Sequence, residues 1–163
     1  MKKKIFYLFI STMVVLIIFL PILAQEKEVI KCKVKSKELK SVKYYIGNIE
    51  RVGETLSIRI AVKTNQINET DLVLIAKHIK ERFCNETQIV TSIFDAKWTA
   101  DNFNTTIKSA RDALRGEYVL DKGKGEEYIS FVKVQNYFEN TKNSIRINLP
   151  LQSNDKLNKS LKQ

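Results

Sequence analysis

The sequence predicts an α+β protein. Its fold class is a two-layer single domain, a mixed β-sheet with one main amphipathic helix, in the order hairpin, strand–helix–strand, hairpin. Three observations carry this. Leu56, Ile58, Ile60 and Val62 alternate with Ser57, Arg59 and Ala61, the pattern of a strand buried on one face. Leu72, Ile75, Ala76, Ile79 and Phe83 fall on one stripe at a 3.6-residue period, so the helix packs one face and wets the other. Ile89, Thr91 and Ile93 face one way while Val90, Ser92 and Phe94 face the other. Bulk on both sides places that strand inside the sheet, and a helical crossover favours parallel pairing of the two strands it joins.

The helix spans about Asn68 to Phe83. Asn68 or Thr70 is the expected cap, Glu69 and Asp71 sit at the positive end of the helix dipole, and Lys77, Lys80 and Arg82 lie towards the negative end. Asn85 is the expected stop.

Lys2, Lys3 and Lys4 precede an uncharged run from Ile5 to Ala24. Basic residues, an apolar stretch and Ala24 before Gln25 make residues 1–24 an export signal. An uncleaved membrane anchor is the alternative, since the run is long enough to span a bilayer. Both readings put the body of the chain outside the cytoplasm, secreted or periplasmic when cleaved and membrane-anchored when not. Loss of the three lysines with the signal lowers the formal charge of +10 by three. A basic protein outside the cytoplasm is expected to meet another envelope or extracellular protein or an anionic polymer, not nucleic acid. Membrane contact would come only through the N-terminal segment.

Cys32 and Cys84 both belong to the exported part. An even count in an oxidising compartment fits one disulfide. Such a bridge would close a loop of about 50 residues and contribute about 4 kcal/mol in the chain-entropy model. Two cysteines and the single His78 are too few to hold a metal.

Residues 25–40 alternate charge with Val29, Ile30, Cys32 and Val34 and suggest an edge strand near 29–35, with lysines that discourage further pairing. The α+β domain proper spans residues 41–149. Tyr44, Tyr45, Ile46 and Ile49 favour a strand that turns at Gly53 and Glu54 into the strand beginning at residue 55. Gly47 marks a bulge within it. Tyr44 and Tyr45 are expected to pack in the core and over the sheet edge.

Asp95 directly follows the second strand of the crossover, and ligand crevices in open sheets lie beyond the carboxyl ends of such strands. The loop with Asp95, Lys97, Trp98 and Asp101 is therefore the first place to look for a ligand. The competing expectation is structural, with Asp95 capping a helix over Ala96 to Asn102 and Trp98 buried. Residues 104–115 suit a short helix capped by Thr105 or Thr106, on which Arg111 and Arg115 point one way and can grip a carboxylate or phosphate. Gly116 ends it. Strands at 117–120 and 126–134 flank a glycine turn and bring Tyr118, Leu120, Ile129 and Phe131 to the core, with Tyr137 and Phe138 closing it from outside. Residues 144–149 form a last edge strand, stopped by Pro150. Residues 150–163 read as a disordered polar tail.

The sequence carries no nucleophile elbow, phosphate-cradling glycine loop or histidine pair, and His78 falls off the apolar stripe, where it is expected to be exposed. No catalytic residue and no cofactor is assigned. The functional expectation is a non-enzymatic binding or accessory domain. The alternatives are a small hydrolase or transferase using Asp95 and Asp101, and a membrane-tethered accessory subunit.

Overall fold

The computed structural model describes residues 29–133 and 136–150. Residues 1–24, expected to be an export signal, and residues 151–163 of the expected polar tail lie outside the described residues. Six strands form one mixed sheet: β1 (Tyr45–Val52), β2 (Thr55–Ala61), β3 (Gln88–Phe94), β4 (Leu114–Asp121), β5 (Glu126–Phe131) and β6 (Ile145–Asn148), laid side by side in chain order. The neighbours are antiparallel except β2 and β3, which run parallel. Among the described residues five α-helices accompany them: α1 (Lys37–Lys40), α2 (Glu69–Arg82), α3 (Lys97–Asn102), α4 (Lys108–Asp112) and α5 (Tyr137–Asn140). The protein is thus an α+β domain with a mixed sheet. Among the described residues no helix is long and apolar enough to cross a membrane.

The helix α2 forms because its stripe has a sheet face to cover. Leu72, Ile75, Ala76, Ile79 and Phe83 are buried against Leu56, Ile58, Ile60, Ile89, Ile93, Tyr118, Leu120, Ile129 and Phe131. Asn68 caps it, its Oδ1 accepting from the Asp71 N–H at 3.0 Å. Glu127 places a buried charge within this layer. The Glu127 side chain, only 2% exposed, accepts from Lys80 Nζ at 2.5 Å and from the Tyr118 hydroxyl at 3.1 Å. Both carboxylate oxygens are thereby matched, the condition under which a buried charge is tolerated.

Among the described residues the opposite face is covered only at one end. There α3, α4 and α5 bring Ala100, Ala110 and Tyr137 over the sheet, and a second cluster forms from Ala61, Phe94, Ala100, Ala113, Leu114, Val132 and Tyr137. Gly47 is where this layer touches β1. A Cβ there would lie 2.4 Å from the carbonyl carbon of Ala100, and the ladder shifts register at this point, as a bulge requires.

Cys32 and Cys84 form the disulfide, with Cα atoms 6.0 Å apart. Residues 29–36 are not an edge strand. Their backbone bonds go to the end of α2 instead: Cys32 N–H donates to the Arg82 carbonyl at 2.7 Å and Lys35 N–H to Glu81 Oε1 at 2.6 Å. The disulfide fixes the segment beside the end of this helix. Gly116 does not end a helix but sits inside β4, opposite Ile93 and Phe131. Phe138 stays exposed, while Tyr137 is buried as expected.

Candidate functional site

The parallel strands β2 and β3 end on the same side of the sheet, and antiparallel β1 begins there, Tyr45 pairing with Ala61. Three chain segments, 43–45, 61–66 and 95–97, therefore converge. They enclose a cleft of about 470 Å³ lined by Lys43, Tyr44, Tyr45, Ala61, Val62, Lys63, Gln66, Asp95 and Lys97. Its floor is fixed by backbone bonds, Val62 N–H to the Phe94 carbonyl at 2.9 Å and Asp95 N–H to the Ala113 carbonyl at 3.1 Å. Beyond β2 a 3-10 turn over Thr64–Gln66 returns the chain, and the Gln66 side chain accepts from the Lys63 N–H at 3.1 Å.

The electrostatics of the cleft are one-sided. Lys43, Lys63 and Lys97 are exposed at its rim. Among the described residues the only carboxylate in the lining is Asp95, and it is ion-paired: Arg115 Nε donates to its Oδ2 at 2.6 Å and the Nη2 group contacts the same oxygen. Net positive charge is thus left facing the solvent in the cleft. The aromatic walls are held in place. The Tyr45 hydroxyl donates to Asp101 Oδ1 at 2.8 Å, an interaction that raises the Tyr45 pKa, and the Lys97 ammonium stands 5.2 Å over the Tyr45 ring. The Tyr44 hydroxyl lies 2.7 Å from His78 Nδ1. Burial raises the Tyr44 pKa against the pull of Arg82, and burial together with Arg82 lowers that of His78.

The residues singled out from the sequence are distributed as follows. Asp95 lines the cleft but does not cap a helix, since α3 starts after Ala96 with no side-chain cap and Asp95 is occupied by Arg115. Asp101 does not line the cleft but anchors Tyr45, which does. The two aspartates are thus held by different partners, an arrangement unlike an acid–base pair. Trp98 is 57% exposed, contrary to the expectation of burial, because α3 turns Thr99 and Ala100 inward. Arg111 and Arg115 do not share a face. Arg111 lies in α4 and donates to the Thr105 carbonyl at 2.7 Å, whereas Arg115 is already in β4. Neither Thr105 nor Thr106 caps α4, which begins after Ile107. His78 is half-buried, not exposed, because Tyr44 closes over it.

Sequence reasoning missed Lys43, Lys63 and Gln66. The signal was available in part, because Lys63 follows the first parallel strand as closely as Asp95 follows the second. Among the described residues no group of three or more His, Cys, Asp or Glu side chains is placed to hold a metal ion. No protein-family model, curated protein or solved structure matches the chain significantly.

Proposed function

We propose that the chain is an exported, non-enzymatic binding domain whose cleft receives an anionic group of an envelope or extracellular component. The observation that carries this reading is the convergence of Lys43, Lys63 and Lys97 around a cleft whose single carboxylate among the described residues is neutralised by Arg115. Export is supported by the basic and apolar pattern of residues 1–24 and by the Cys32–Cys84 disulfide, a bond that persists in oxidising compartments. Gln66, Tyr44 and Tyr45 supply the polar and aromatic groups that orient a ligand.

The test is binding of tripolyphosphate and of poly-glutamate to the full processed chain, with and without Lys43→Gln, Lys63→Gln and Lys97→Gln combined. Each lysine near an anionic surface contributes about 1 kcal/mol, so the triple variant should bind about 100-fold more weakly. The two probes separate a phosphate from a carboxylate preference. Unchanged affinity of the triple variant for both probes, or affinity insensitive to salt, overturns the reading.

A further inference from the structure

The sheet face turned away from α2 carries a row of polar side chains that the cleft does not use. Reading the strand registers across the sheet, Asn48 stands beside Arg59, Arg59 beside Ser92, Ser92 beside Glu117, Glu117 beside Ser130, and Ser130 beside Arg146. Every strand contributes one polar residue, and at the interstrand spacing the row is about 24 Å long. One of its members is unsatisfied. The Nε of Arg59 is buried with no hydrogen-bond partner. Glu117 is half-buried, and burial raises its carboxyl pKa. The unmatched Arg59 donor costs stability that a hydrogen bond to a ligand would return, and Glu117 offers an acceptor on the other side of Ser92.

The row has a wall on one side. Phe103, packed 4.9 Å from Phe94, offers its carbonyl to Arg59, and Tyr137 stands close to Ser130 and Glu117. On the other side Val90 and Val119 lie half-exposed between Ser57 and Tyr128 in the next row. We infer that this face binds a neutral, hydroxyl-rich chain, a glycan laid across the strands. The charges select it. Arg59 and Arg146 are balanced by Glu117 and Glu50, the latter 3.9 Å from the Arg59 guanidinium, so a polymer of one sign would meet repulsion along the row. A protein partner would need large apolar anchors, which the row does not present. Sugar hydroxyls donate and accept at once, as the alternation of Arg, Ser and Glu demands, and the apolar ring faces fit Phe103 and the valines.

The test is amide chemical-shift mapping of the full processed chain against cello-, malto- and N-acetylglucosamine oligosaccharides. Shifts should centre on Arg59, Ser92, Glu117 and Ser130 and persist at high salt. Glu117→Leu should lower affinity about tenfold while melting at or above the wild-type temperature, because it removes a carboxylate whose charged form burial disfavours. Ser92→Val, which suits a strand, should also weaken binding. The triple lysine variant should bind as wild type, which separates this site from the cleft. Shifts confined to the cleft, no saturable shifts with any of the sugars, or wild-type affinity in both open-face variants overturns the inference.

Discussion

Replacing Cys32 and Cys84 together with serine removes a constraint whose size follows from chain position. The bridged residues are 52 apart in sequence, and the loop they close contains β1, β2 and α2. In the chain-entropy model a loop of that length is worth about 4 kcal/mol. Among the described residues the N-terminal segment is otherwise held beside α2 by the Cys32 to Arg82 backbone bond, the two bonds to Glu81, the buried Leu39 and the partly buried Val29. The double variant avoids a free thiol, so disulfide exchange does not confuse the reading. Urea unfolding at neutral pH is the assay. With a denaturant slope of about 2 kcal/mol/M, typical of small domains, the midpoint should fall by about 2 M. Reduction of the wild type should reproduce this loss. A shift below about 0.5 M would show that the loop is already constrained in the unfolded chain, and the entropic account would be refuted.

Three further outcomes are expected. Gly47→Ala places a methyl group against the Ala100 carbonyl and the Asp101 N–H, so α3 must move off β1. A loss of about 1–3 kcal/mol in urea unfolding is expected, with weaker anion binding because Lys97 and Asp101 move with the helix. Glu127→Ala leaves Lys80 and Tyr118 facing each other under α2, at a cost of about 3 kcal/mol, whereas a change under about 0.5 kcal/mol would mean that water reaches the site. His78 has a folded-state pKa below its ordinary 6.5 because burial and Arg82 disfavour the charged ring. The unfolded chain then takes up the proton first, so the His78 contribution is complete above about pH 6.5 and is lost as the pH falls below it. Unfolding measured from pH 5 to 7.5 should show that slope, and His78→Gln should flatten it.

What was legible in the sequence was local or periodic. The alternation of residues 56–62, the stripe from Leu72 to Phe83 and the two-sided strand at 88–94 each reflect a repeating contact with one surface, and all three elements stand where the periodicity puts them. The disulfide was readable because only one pairing exists. The functional surfaces were not, because their members come from separate segments. Lys43, Lys63 and Lys97 lie twenty or more residues apart and meet only because β2 and β3 are parallel and β1 starts at their ends. Asp95 was found by the carboxyl-end rule, yet its partner Arg115 lies across β4, and the local reading as a helix cap lost to that ion pair. Trp98 was misjudged because burial of tryptophan is an average preference, while α3 is short and has only one face to bury. The row from Asn48 to Arg146 needs the registers of all five strand pairs, and no single segment encodes it.

The most direct measurement is an amide-resolved titration of the wild-type processed chain with tripolyphosphate at two salt concentrations. The account expects saturable shifts at residues 43–45, 61–66 and 95–97, weakening as salt rises, with the row at Arg59 and Glu117 unmoved. Saturable binding that maps elsewhere, or no saturable binding at low salt, would contradict it.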